Sequence, residues 1–140
     1  VSAAAGSVAL DTSAAVPYVM SSHPAHSVTR SQVAGRTARL TTQSLAETYS
    51  VLTRLPGDAR VRPTDAAALL AANFVDSIAP TAEVAGGIPA VLAPLGIAGG
   101  AVYDALVGLA AQAAGVVLIT RDTRAIPTYT AVGATIEIAG

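Results

Sequence analysis

The run Val116-Val117-Leu118-Ile119-Thr120 is continuous, apolar and rich in β-branched residues, and it ends on Arg121-Asp122. A strand without polar alternation has no face for water, so it belongs inside a sheet covered on both sides. Such sheets are parallel, and parallel strands need helical crossovers between them. The rest of the chain supplies that alternation. Val8–Asp11 reads as a short strand, Ala14–Met20 as a helix, Pro24–Ala34 as a weaker helix and Arg39–Thr41 as a brief strand. Ser44–Leu55 reads as a helix with Leu45, Tyr49, Leu52 and Leu55 along one stripe. LPGDARV marks a turn, after which Thr64 is expected to cap a helix over Asp65–Phe74 with Ala68, Leu69 and Ala72 on one face. Ser77–Ala79 fits an edge strand, Val84–Leu95 a helix broken by Gly and Pro, and Tyr103–Ala114 a helix closed by Gly115. Arg124–Val132 and Thr135–Ile138 supply a last helix and strand. The expected class is α/β, with a mainly parallel central sheet.

At 140 residues the chain fits one domain, with residues 1–6 as a flexible N-terminal extension. Hydrophobic residues form 52% of it, enough for a core. Cysteine is absent, which excludes disulfides, thiolate metal sites and cysteine nucleophiles. VSAAAGSV has no basic n-region and does not read as a secretory signal. Val84–Tyr103 is uncharged over a length close to that of a membrane span, but Pro89, Pro94 and two Gly-Gly pairs favour a buried, soluble segment. A cytoplasmic protein without membrane contact is the expectation.

Four of the nine acids stand where an acid is out of place. Asp11 and Asp122 follow the first strand and the most apolar strand. The ligand crevice of an open parallel sheet lies at those carboxyl ends. Glu47 and Asp104 fall in the first turns of helices expected to begin at the same rim. Each has a purely structural alternative. Asp11 could cap the next helix and Asp122 the turn after it, Ser44-Leu45-Ala46-Glu47 spells a capping box, and Asp104 suits a helix N-terminus. Four such coincidences on one rim are harder to accept than one. Clustered carboxylates repel, and a hard divalent cation such as Mg²⁺ or Mn²⁺ resolves the repulsion.

Those residues carry a resemblance. VALDTSAAVPYV, LTTQSLAETYSVLTRLP, GGAVYDALVGLAA and LITRD resemble, in order and spacing, the acidic motifs of PIN domains, and of VapC-type toxins most closely. The resemblance implies a three-layer α/β/α sandwich and a Mg²⁺-dependent endoribonuclease, with Mn²⁺ as a substitute. It implies catalytic and metal-binding roles for Asp11, Glu47, Asp104 and Asp122, with Thr12, Ser13 and Thr120 as supporting polar positions. It also implies a small antitoxin partner (VapB-like) that blocks the cleft, and a homodimer. The extra residues before the first strand and the Gly/Pro-rich stretch 86–94 depart from the pattern without touching the acids.

The remaining signals are weaker. Residues 30–62 hold Arg30, Arg36, Arg39, Arg54, Arg60 and Arg62 against Glu47 and Asp58, a local +4 that could face a phosphate backbone. Arg121 and Arg124 flank Asp122 and are candidate RNA contacts. His23 and His26 share a helical spacing, but a zinc site lacks further ligands, and exposed residues at a helix start are expected. Ser13 has no histidine partner to make it a nucleophile. The four tyrosines are too scattered for a base-stacking platform. Two other functions compete. A PIN fold used only as a binding module would keep the fold without cleavage. A haloacid-dehalogenase-type phosphatase needs an acid two residues after its nucleophile, where this chain has Ser13.

Overall fold

The structure, a computed structural model, describes residues 6–140, so most of the N-terminal extension lies outside the described residues. Four strands form one parallel sheet: β1 (Ser7–Leu10), β2 (Thr37–Arg39), β3 (Val117–Thr120) and β4 (Ile136–Ile138), in the order β2-β1-β3-β4. The path from β1 leads one way to β2 and the other way to β3 and β4. That reversal places a topological switch point between β1 and β3, where a crevice opens at the carboxyl ends. The sheet extends past β2 by a single parallel bridge, Thr41 to Ile78, where an edge strand is expected.

Residue alternation assigns the two faces. Val8, Leu10 and Ile119 join Val19, Leu52, Leu70 and Phe74 in one apolar cluster. It lies under α1 (Thr12–Val19), α2 (His26–Val33), α3 (Thr42–Thr53) and α4 (Pro63–Asn73). Ala9 and Leu118 join Val107, Ala110, Ala111 and Tyr129 in the other, under α7 (Ala101–Ala114) and α8 (Ile126–Ala131). The result is the α/β/α sandwich. Gly115 closes α7 with a left-handed φ of 68°, which other residues adopt only at a cost.

The uncharged middle stretch becomes α5 (Ala82–Gly86), α6 (Ile88–Leu92) and a short turn of 3₁₀ helix, Ala93–Leu95. Leu92 packs with Ala105 of α7 and Val132 after α8, while Val91, Leu95 and Tyr103 remain exposed. Among the described residues no helix is long and apolar enough to cross a membrane. At the sheet edge, Arg36 holds Glu137 of β4 with both guanidinium nitrogens (3.0 and 2.8 Å), and Gln32 adds a third bond at 2.6 Å. Those contacts hold the Glu137 carboxyl well down, to about 2.

Four expectations are corrected. Thr64 does not cap α4: Pro63, with its preset φ, stands at the helix start and Arg62 is the cap position. Ala66 and Leu70 turn into the core, whereas Ala68 and Ala72 are exposed. On α3 the buried face is Ser44, Thr48 and Leu52, while Leu45 is only half-buried and Tyr49 is exposed. That helix starts earlier than expected, because Thr41 is its cap and accepts from the Ser44 N–H at 3.0 Å.

Candidate active site

Asp11, Thr12, Ser13, Glu47, Asp104 and Asp122 line one small cleft of about 80 Å³, together with Val107 and Tyr129. The switch point explains the convergence. Asp11 follows β1, Asp122 follows β3, Asp104 sits in the first turn of α7, and Glu47 points in from α3. Glu47 stands in the second turn of α3 rather than the first, because Thr41 and not Ser44 caps the helix. The capping-box explanation of Glu47 therefore fails. Its carboxylate accepts instead from Gln43 Nε2 at 2.7 Å and from the Thr12 hydroxyl at 3.2 Å.

Asp11 is 3% exposed and accepts four hydrogen bonds. Oδ1 takes the Ser13 hydroxyl at 2.6 Å and the Ala14 N–H at 3.1 Å. Oδ2 takes the Thr120 hydroxyl at 2.5 Å and the Tyr129 hydroxyl at 2.8 Å. Two donors thus meet each oxygen of the carboxyl, and they replace the water that burial removes. Asp11 does cap α1, as its structural alternative holds, but the cap uses only one of its four bonds.

The supporting hydroxyls form a relay between β1 and β3. Thr120 Oγ1 accepts from the Asp122 N–H at 3.0 Å, and Ser13 Oγ accepts from the Arg121 N–H at 2.8 Å. Asp122 Oδ1 accepts from the Arg124 N–H at 3.0 Å, and the Arg124 side chain stands 3.4 Å away. The Arg124 side chain is 92% exposed, and neither Arg121 nor Arg124 lines the cleft. The basic sector is partly engaged elsewhere. Arg30 lies 3.9 Å over the Tyr18 ring and Arg36 clasps Glu137. Arg62 stands 3.6 Å from Asp65. His23 and His26 make local contacts through Nδ1, with the Ala25 N–H at 3.0 Å and the Pro17 carbonyl at 2.8 Å.

The acids sense one another. Burial pushes the Asp104 carboxyl up, and the charges of Asp122, Glu47 and Asp11 push it further in that order. Even so, among the described residues no three Asp, Glu, His or Cys side chains are drawn together tightly enough to clasp an ion. An all-oxygen donor set with a repelled carboxyl at its centre fits a hard divalent cation. Asp104, Asp122 and Glu47 are the partly open acids, and Asp11 is the buried anion behind them.

Tyr129 is the cleft residue that sequence reasoning misses. It is 2% exposed, and burial followed by the nearby Asp11 pushes its phenol up, so it remains a donor. Nothing in T-R-A-I-P-T-Y signals this, because its position depends on α8 folding back over α7.

A second cavity lies between α3 and α4. It measures about 530 Å³ and is lined by Leu40, Leu45, Tyr49, Leu70, Phe74 and Val75, among others. Leu45 and Tyr49 of the α3 stripe face this groove.

The PIN domain family model matches residues 8–129. The chain is 46% identical over 132 residues to Ribonuclease VapC27 of Mycobacterium tuberculosis, covering 94% of this chain and 96% of that one. It is 39% identical to Ribonuclease VapC40 of the same organism, covering 94% of this chain and 98% of that one. In fold it is similar to VapBC2 from Rickettsia felis, solved bound to a promoter DNA fragment. That match has a TM-score of 0.65 and 17% identity, and covers 96% and 99% of the two chains.

Proposed function

The chain belongs to the PIN-domain family, and from that premise we propose that it is a VapC-type endoribonuclease toxin with a Mg²⁺- or Mn²⁺-dependent site. The observation that carries this reading is the convergence of Asp11, Glu47, Asp104 and Asp122 on one cleft at the switch point of the sheet. Two relatives named as ribonucleases, similar over nearly the whole chain, support it. The proposal takes the chain as a single PIN domain acting in the cytoplasm.

A bound Mg²⁺ or Mn²⁺ would supply positive charge at a phosphoryl oxygen and a more acidic water. Asp11, Glu47, Asp104 and Asp122 would hold the ion. Thr12 and Gln43 orient Glu47, and the relay of Ser13 and Thr120 orients Asp11 against Asp122. Such prior orientation lowers the reorganisation needed when charge develops on the phosphate. Arg121 and Arg124, beside Asp122, would meet the RNA backbone.

The partner we infer is a small antitoxin, by analogy with the solved VapBC assemblies. The groove between α3 and α4 offers it an apolar seat next to the helix that carries Glu47. A second copy of the chain would cover Val91, Leu95 and Tyr103 around α6, and light scattering should then return a dimer. The central test is to offer RNA to the purified protein, free of antitoxin. Cleavage should require Mg²⁺ or Mn²⁺ and stop with EDTA. RNA binding without cleavage under every metal would favour the binding-module alternative.

A further inference from the structure

We propose that Tyr129 is a positioning residue whose hydroxyl fixes the Asp11 carboxylate for metal binding, and that Gly108 makes room for the ring that carries it. This rests on the metal-dependent nuclease reading of the cleft. Among the four donors to Asp11, Tyr129 is the one supplied from α8, far from the strands that carry the acids. It shares Oδ2 with Thr120. Thr120 has other commitments, accepting from the Asp122 N–H and standing 3.4 Å from Ser13 Oγ. A threonine hydroxyl rotates freely between such partners. A tyrosine hydroxyl is directed by its ring, and this ring is buried.

Packing sets the ring. A Cβ added at Gly108 would stand 3.3 Å from Tyr129 Cδ1 and 2.7 Å from Val132 Cγ2. At the second distance Val132 has to shift and at the first the ring has to give by a few tenths of an ångström, so glycine lets α8 settle this near α7 without either movement. Gly108 lies one helical turn beyond Asp104. The helix that presents one acid therefore also seats the ring that orients another. Without the phenol oxygen, Asp11 Oδ2 would rest on Thr120 alone, and the tilt of the carboxylate about the Oδ1 held by Ser13 and Ala14 would follow a hydroxyl with other partners.

The experiment uses Tyr129→Phe, which keeps the ring and removes the hydroxyl. Mn²⁺ affinity should be read by titration calorimetry, alongside kcat and KM on RNA and the melting temperature. Partners of this kind change metal affinity or activity by about 10-fold or more. Mn²⁺ binding and kcat should each fall by about that factor, with KM for RNA unchanged. Gly108→Ala, which displaces the ring, should weaken Mn²⁺ binding in the same direction. In a Tyr129→Phe background it should weaken Mn²⁺ binding no further, because both changes act through one hydroxyl. A Tyr129→Phe protein that binds Mn²⁺ and turns over like wild type, whatever its melting temperature, overturns the proposal. Wild-type protein that neither binds Mn²⁺ nor cleaves RNA overturns the nuclease reading itself, and the proposal with it.

Discussion

From α3, Glu47 enters a cleft where a buried carboxylate has four donors, while Leu45 and Tyr49 front a groove of apolar side chains left open by the described residues. The cleft is small and its polar groups orient one another. The groove is several times larger and exposes Val75 by 58% and Tyr49 by 38%. A buried carboxylate must find partners within the folded chain, since leaving it unpaired is prohibitively costly. Apolar surface is under no such compulsion, and a large open patch marks a place that another molecule covers. The polar groups of one region partner one another within the chain, and the other leaves its apolar side chains open among the described residues.

The sharpest way to break this contrast is to damage each region alone. Asp122→Ala should lower the kcat of RNA cleavage at least about 100-fold, as expected when a group that orients developing charge is lost. It should leave antitoxin binding nearly intact. Val75→Asp, in the groove, should weaken antitoxin binding about tenfold and leave cleavage alone. If Val75→Asp reduced cleavage as severely as Asp122→Ala, the two regions would not be separable.

A smaller effect distinguishes repulsion from support within the cleft. The raised Asp104 carboxyl means that the folded protein holds this proton more tightly than the unfolded chain does. The associated stability is present below the ordinary value of 3.8 and is lost as pH rises through the raised value. At neutral pH without metal, Asp104→Asn should therefore melt higher, by about 3 °C. That advantage should vanish in acid below pH 3.8. A lower melting point at pH 7 would mean that Asp104 chiefly supports α7. No such pH-dependent gain is expected from groove substitutions, where no acid is lost.

The smallest effect serves as a control outside both regions. Glu137 is held low by Arg36 and Gln32, so its contribution exists above 4.5 and disappears as pH falls through about 2. Because the pair is partly exposed, Glu137→Gln should cost only about 1 °C at pH 7. It should also flatten the acid limb of the melting curve while leaving cleavage unchanged. A cleavage defect would tie the β4 edge to the site.

The sheet and the placement of Asp11 and Asp122 were legible because strand chemistry is local. Val117–Thr120 is apolar on both faces, and an acid directly after such a strand has only the rim to occupy. Helix faces were less legible. The stripe of Leu45 and Tyr49 is a real apolar face, but periodicity does not say whether the chain's own core will cover it. Here the core took Leu52 of that stripe together with Ser44 and Thr48. Glu47 was found through the wrong local frame, since Ser44 resembles a cap but Thr41 is one. Tyr129 was invisible, because its role arises only where α8 crosses Gly108.

The bonds from Thr120 and Tyr129 to Asp11 join residues 109 and 118 positions apart. During synthesis Asp11 emerges long before two of its four donors. Contacts closing loops this long form late and slowly compared with local helices. At translation rates of roughly 5–20 residues per second, Asp11 would wait about 6–25 seconds for its last donors to be made. Prematurely ended or proteolytically trimmed chains that lack β3 and α8 would keep Asp11 and Glu47 yet have no assembled site.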